Sequence, residues 1–403
     1  MKYVFSKFIF IFLILFSIIS FYIGYDIDKI KIWKIGLFQL GLLPAVMSVF
    51  FKLPRYLMGR YYDPNKYVIK MIVLYTLYQI IVILPLTYIE SNLTIGDLYW
   101  SIMPRLYFLL IPFIYWFVLP SYNNPKVPIN WIAYSSIILV ILILYNYSNG
   151  IYSLTNTGEL RLVSGTAAML FAFTLITKFS LFSHDKNNPL LIAISMIGFV
   201  FVNHRSAYIM LGVILLLSIF IGLISANTRK LILGKVFVSL IIILLLLITL
   251  SQIPMIRDNF IGRVESSFDV EDKNAVDRMT RWEYSFNYFL ENPINGSKLE
   301  NKFYADNEEL SEFYAPHNFV FEILSTQGIV GFIFISLILF NILKIGYRNK
   351  NDNISNQMFL VVIFYILFSL MNVTILNSWN ILILVFSSAV ILYRNNQLRS
   401  DNG

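Results

Sequence analysis

Cysteine is absent from this chain of 403 residues. That excludes disulfides, thiolate metal sites and cysteine nucleophiles. Charge is scarce as well: 13% of residues are charged, against about 25% in an ordinary soluble domain. Only three histidines occur, His184, His204 and His317. The sequence carries no phosphate loop, zinc signature or serine-triad motif, and no internal repeat of the kind that marks alternating-access transporters. What it has in excess is apolar surface, with 58% hydrophobic and 17% aromatic residues. So few charges cannot cover that surface in water, so the solvent for most of the chain is lipid. The net charge is +8. Its basic residues sit in short loops between apolar runs, which reads as membrane orientation, and no nucleic-acid partner is expected.

A helix needs about 20 apolar residues to cross about 30 Å of hydrocarbon. The sequence predicts an all-α polytopic membrane protein of about twelve spans, near 4–25, 33–51, 68–89, 98–119, 130–146, 163–182, 188–203, 207–226, 233–252, 317–344, 357–375 and 377–393. The first run is too long for a signal-peptide core and is read as a retained span. A polar notch at Asn377-Ser378 separates the last two, so eleven spans is the alternative count. The 188–226 stretch is twice the length of one span and must break at Asn203-His204-Arg205-Ser206, its only polar group. Lys52, Arg55, Arg60 and Lys66, then Arg229, Lys230 and Lys235, then Arg348 and Lys350, then Arg394 and Arg399 all fall on one side. Positive-inside bias makes that side the cytoplasm. Lys29, Lys31 and Lys34 run against the bias, beside Asp26 and Asp28.

This orientation places one long loop outside, between spans nine and ten. The expected organisation is residues 1–252 as nine spans, 253–316 as a periplasmic loop, 317–393 as three spans and 394–403 as a cytoplasmic tail. The loop holds 13 of the 23 acidic residues and 7 basic ones. Its run Trp282–Leu290 has apolar residues near helical spacing, and Pro293-Ile294-Asn295-Gly296 stops it. The expected picture is an amphipathic helix lying over the outer mouth of the bundle. Asp269, Glu271 and Asp272 cluster without a metal-site spacing, so neither a metal nor a cofactor is expected.

The candidate chemistry lies at outer helix ends. His184 sits in a cytoplasmic loop and reads as solvated. His317 opens a span, and as a helix the next 11 residues would make about three turns, placing His317 and Gly328 on one face with Gly331 close by. Two small residues three apart would let a neighbouring helix approach. The imidazole above them would act either as a general base on a sugar hydroxyl or simply as an interfacial cap. Arg205 sits at the forced break, Arg161 just before the sixth span, and Arg278 and Arg281 ahead of the amphipathic run. Arg105 lies inside the fourth span, and an arginine there is by default a functional candidate. Guanidinium groups hold phosphate oxygens in bidentate fashion; the other reading is snorkelling to headgroups.

These motifs resemble the O-antigen ligase and Wzy-type polymerase superfamily. His317-Asn318 with Gly328 and Gly331 matches its signature. Arg278 with Trp282, Pro293 and Gly296, then Arg205-Ser206-Ala207, then Arg161 to Thr166, resemble its arginine motifs, across about residues 155–335. The resemblance implies a GT-C-like membrane fold in the bacterial inner membrane and inverting, metal-independent glycosyl transfer from undecaprenyl pyrophosphate at the periplasmic face. It assigns the pyrophosphate to Arg205 and Arg278, with Arg161 in support and Arg281 competing with Arg278. His317 becomes the residue that orients or deprotonates the acceptor. A polymerase joining lipid-linked repeat units, with a chain-length regulator as partner, is the expected function. A ligase acting on lipid A-core is the first alternative and a flippase or transporter the second. A protein oligosaccharyltransferase ranks lower, because such members carry a larger C-terminal region.

Overall fold

The computed structural model describes residues 2–23, 31–32, 35–59, 63–86, 103–122, 124–150, 153–154, 160–161, 167–179, 188–202, 204–224, 273–296, 316, 318–372 and 378–400. These residues are overwhelmingly helical. The helices are α1 (Lys2–Ile23), α2 (Leu37–Met58) and α3, which runs over Lys66–Tyr78 and continues through one π-turn, Gln79–Ile83. Next comes α4, built in pieces: a 3-10 segment Met103–Leu109, the α-turn Leu110–Phe113, a π-turn Ile114–Val118 and the α-turn Leu119–Tyr122. Then follow α5 (Lys126–Ser148), α6 (Ala168–Lys178), α7 (Pro189–Val202) and α8 (Arg205–Ile224). The last four are α9 (Lys273–Glu291), α10 (Phe319–Arg348), α11 (Asn353–Ser369) and α12 (Ser378–Ser400). Two antiparallel pairs of two-residue strands complete the set: Lys31–Ile32 with Ile35–Gly36, and Ser153–Leu154 with Leu160–Arg161.

Among the described residues, Lys66–Leu86, Lys126–Ser148, Phe319–Arg348 and Ile381–Ser400 are long and apolar enough to cross a membrane. Shorter apolar helices, such as Ala168–Lys178 and Asn353–Ser369, pack among them. The segment 233–252 lies outside the described residues. The long 188–226 stretch breaks where expected, between Val202 and Arg205. Residues 357–375 and 377–393 correspond to two separate helices, α11 and α12.

Exposed apolar residues on the helices, among them Phe51, Ile141, Leu216 and Phe340, would face lipid. The core runs through the centre of the bundle, where Phe10 stacks on Phe386 and Phe173 meets the same ring edge-on. Lipid offers no hydrophobic drive for helix association, so packing and polar contacts carry it. At one end, Asn65 donates to the Leu392 carbonyl (2.8 Å) and accepts from Asn395 (2.8 Å), and Asn349 donates to Asn395 (3.2 Å). Asp63 accepts from Tyr56 (2.7 Å) and Tyr115 (3.1 Å). Asp352 caps α11 through the Ser355 amide (3.0 Å) and pairs with Arg394 (2.5 Å). This Asn65 end ties the α2–α3 connection, the α10–α11 connection and the close of α12 into one network.

The opposite end carries the candidate site. The start of α10 and the close of α11 share it, because those helices are sequential and antiparallel. Asn372, just past α11, donates to Ser206 in the first turn of α8 (2.9 Å), which brings that helix break to the same end.

Candidate functional site at the Asn318 end

Asn318 builds the start of α10. Its backbone is extended, and its side-chain oxygen accepts from the amides of Val320 (2.9 Å) and Phe321 (3.4 Å). This is an N-cap, worth about 1 kcal/mol. Capping, one of the two readings of His317 in the sequence, is therefore done by its neighbour. His317 itself lies outside the described residues. Pro316 is buried, and its carbonyl accepts from the Trp282 indole (2.8 Å). The Trp282 ring also stacks on Phe321, 5.7 Å between centroids. The helix that carries the loop arginines is thus fastened on either side of His317.

α9 begins nine residues before the Trp282–Leu290 run and ends in the expected turn at Pro293–Gly296. It packs along the first three turns of α10, running in the same direction: Trp282 meets Phe321, and 293–296 meets 325–330. Arg278 and Arg281 fall on the same side of α9 as Trp282 and the fully buried Ser285, and both are partly buried. At 100° per residue, Val276, Met279, Phe286 and Leu290 share the other side.

The uninterrupted helix expected from His317 to Gly331 is corrected. α10 breaks at Gly328, whose φ is 63° and ψ is −168°. The break strips Ile329 and Val330 of their intrahelical acceptors, and the turn after α9 supplies replacements. Ile329 donates to the Pro293 carbonyl (2.8 Å) and Val330 to the Ile294 carbonyl (3.4 Å). A Cβ on Gly328 would stand 2.2 Å from the Ile294 oxygen, and one on Gly296 (φ 78°) would stand 2.4 Å from the Gln327 nitrogen. Both glycines are required by backbone conformation and by contact. The partner that approaches them is a turn and not a neighbouring helix. Gly331 has a different use: a Cβ there would lie 2.4 Å from the Cβ of Gln327, whose side chain occupies that space.

Gln327 joins this assembly to the body. Its buried side-chain oxygen accepts from Tyr75 (3.0 Å) and Gln79 (2.9 Å), and Tyr78 donates to its carbonyl (3.0 Å). Gln79 opens the π-turn in α3, a feature often found at functional sites. One turn above Gln327, Glu322 is 1% exposed, and its carbonyl accepts from Thr326 (2.5 Å). Glu322, Gln327, Tyr78 and Gln79 carry no motif of their own. A glutamate and a glutamine inside an apolar run were the available signal, since polar groups within a span tend to be functional.

The other arginines reach the same end through the backbone. Arg205 opens α8, where His204 shares a hydrogen bond with Ser206 (2.9 Å) and its ring lies 5.2 Å from that of Phe368. Arg161 sits in the strand pair that joins α5 to α6, opposite Ser153. Arg105 lies in the 3-10 segment of α4, whose Phe108 meets Tyr75 edge-on. The side chains of Arg105, Arg161 and Arg205 lie outside the described residues, as do Asp269, Glu271 and Asp272.

Helices of this composition and packing define a multi-pass membrane protein. Residues 190–336 match the model of a family described as O-antigen ligase, and the match supports the O-antigen ligase and Wzy superfamily, whose members are membrane glycosyltransferase-like enzymes. The matched segment runs from α7 into α10 and contains Arg205, Arg278, Arg281, His317, Asn318, Gly328 and Gly331. Arg105 and Arg161 precede it. No curated protein matches the chain.

Proposed function

We propose that the protein is an O-antigen polymerase of the bacterial inner membrane, with about twelve spans, a GT-C-like arrangement and its active site at the periplasmic face. The Asn318 end is then periplasmic and residues 253–316 form the large loop, with α9 inside it. A hydroxyl of one repeat unit attacks the anomeric carbon of another that is carried on undecaprenyl pyrophosphate. The new glycosidic bond forms as the bond to pyrophosphate breaks, with inversion. His317 takes the hydroxyl proton, and undecaprenyl pyrophosphate departs with its growing charge held by Arg205 and Arg278, supported by Arg161, Arg281 and Arg105. No metal is used in this scheme. A chain-length regulator protein is the expected partner.

The observation that carries this reading is the fastening of α9 to α10. The Trp282 indole bonds the carbonyl immediately before His317, with Arg278 and Arg281 on the side of α9 that faces the body. A cationic pair on a helix tied to the residue just before His317 suits a leaving group and an attacking hydroxyl held in register. The second reading is a ligase that moves the finished polymer to lipid A-core; the description of the matching family favours it. The test is deletion of the gene in its host and complementation with wild type or His317→Ala, followed by gel analysis of lipopolysaccharide. Core bearing a single repeat unit, with the ladder restored only by wild type, is the polymerase result. Bare core with lipid-linked polymer accumulating is the ligase result. An unchanged ladder overturns both and returns the question to the transporter, or to a different glycan altogether.

A further inference from the structure

We propose that α9 is a re-entrant helix. Its C-terminal half and the turn 293–296 enter the hydrocarbon of the leaflet at the Asn318 end, with Phe286, Leu290 and Ile294 against lipid acyl chains. The inference needs α10 to span a membrane and does not depend on which glycan the enzyme joins.

Two rulers set the depth, both starting from the Asn65 end. Lys344 is the basic residue deepest in α10 from the Asn65 end, one turn inside Arg348, which closes the helix before the connection that reaches Asn395. About 20 residues back from it, the far edge of the hydrocarbon falls near Leu324. Gly328 then lies roughly 6 Å inside that edge. Independently, Lys70 is the basic residue deepest in α3 from the Asn65 end, and Gln79 follows about 14 Å along the axis, which leaves about 16 Å of a roughly 30 Å core beyond it. Gln79 bonds Gln327, the residue before Gly328. Both helices place the turn plugged into the Gly328 break inside the hydrocarbon boundary, by about 6 Å on the α10 ruler and by more on the α3 ruler. Pro316 is back at the level of Trp282, since the indole bonds its carbonyl. The chain therefore descends through α9, returns, and descends again through α10.

One side of α9 is graded to match. Trp282 and Phe321 fall just outside the boundary, in the zone that aromatic residues favour. Arg278 lies about one turn further toward water, at headgroup depth, and Arg281 is one residue from Trp282 at the boundary. Below Trp282 the outward apolar stripe is Phe286 (44% exposed), Leu290 (57%) and Ile294 (62%), with exposed Asn287 and Glu291 beside it, and the backbone bonds of the turn to Ile329 and Val330 continue it onto exposed Ile329 and Ile333 of α10. That continuity with a spanning helix names the occupant as lipid. The backbone obeys the same constraint. Non-helical chain at membrane depth persists only where its polar groups find protein partners, and here the Pro293 and Ile294 carbonyls take the amides that the Gly328 break frees.

The chain has no native cysteine, so a nitroxide placed at one new cysteine reports one site. Glu283→Cys, Phe286→Cys, Leu290→Cys and Ile294→Cys would be labelled in full-length protein in liposomes of phosphatidylethanolamine and phosphatidylglycerol, without polyprenyl lipid. Collision with oxygen and with a water-soluble nickel chelate is then measured at each. The expected result is an oxygen-to-nickel ratio that rises several-fold from Glu283→Cys to Leu290→Cys and Ile294→Cys. Nickel access at 290 and 294 equal to that at 283 would overturn the proposal. So would shielding from both reagents, which would mean that protein covers the stripe, or a hydrocarbon signal seen only after polyprenyl pyrophosphate is added. The readout needs no turnover, so it fails or succeeds separately from the proposed glycosyl transfer.

Discussion

The two ends of the bundle use polar residues in opposite ways. At the Asn65 end, Asp63, Asn65, Asn395, Asp352 and Arg394 bond mainly to one another, to tyrosines and to main chain, and the network joins two connections and the close of α12. At the Asn318 end, polar residues hold a helix break open and position a second helix in it. Gly328 and Gly296 permit the contact, Gln327 ties it to α3, and Trp282 fastens α9 beside His317. The first arrangement stabilises a bundle in a solvent that offers helices no reason to associate. The second spends regular helical bonding on geometry. Strained backbone is found where function requires it, and here it falls inside the segment that matches the family model.

The comparison predicts that substitutions at the Asn318 end remove activity and those at the Asn65 end remove stability. The largest effect is expected for His317→Ala and Arg278→Ala. Each should lower polymer formation by about 10²–10⁴-fold, while melting in detergent stays that of wild type. A matching fall in melting would blur the distinction between the ends. Gly328→Ala comes next, because it meets the Ile294 oxygen and forces φ of +63° on a residue with a side chain. It should lose about 1–3 kcal/mol and most of its activity together, measured as melting and transfer on the same preparation. Asp352→Ala removes a cap and a partly exposed ion pair, for about 1–2 kcal/mol of stability. Its activity per folded molecule should be unchanged, and a large loss would break the comparison. Tyr78→Phe removes the hydroxyl shared by the Gln327 carbonyl and the Asn295 side-chain oxygen and should cost about 1 kcal/mol.

The smallest expected effect is on pH dependence. Burial works against the Asp352 carboxylate, but hydrogen bonds from Arg394 and from Ser355, together with the Arg394 charge, outweigh it and hold the pKa below its ordinary value. A carboxyl held lower in the folded state than in the unfolded one adds stability above the unfolded value, about 3.9. That contribution fades as pH falls through the lower, folded value. The melting advantage of wild type over Asp352→Asn should therefore be constant from neutral pH to about pH 5 and shrink below about pH 4.

Much of this was legible in the sequence. Apolar runs set the helices, the polar tetrad at 203–206 set the α7–α8 break, and Pro293–Gly296 set the end of α9. The spacing of Gly328 and Gly331 pointed to a close approach on α10 but to the wrong partner for it. Helical periodicity assumes unbroken helix, and nothing local to Thr326-Gln327-Gly328 marks a left-handed residue whose need arises from a turn 32 residues upstream. The placement of α9 was illegible for the same reason. An amphipathic pattern names the apolar side of a helix but not its neighbour. The Gln79–Gln327 bond spans 248 positions, and a single sequence holds no trace of such a pair.

The central claim is transfer of a glycan from undecaprenyl pyrophosphate at the Asn318 end. Its most direct measurement is release of undecaprenyl pyrophosphate by purified protein in liposomes, supplied with lipid-linked repeat units, with and without lipid A-core. The account predicts release by wild type and by Asp352→Ala, with one new glycosidic bond per pyrophosphate freed, and little or none by His317→Ala or Arg278→Ala. Release by His317→Ala at the wild-type rate, or movement of repeat units across the bilayer without release, would contradict it.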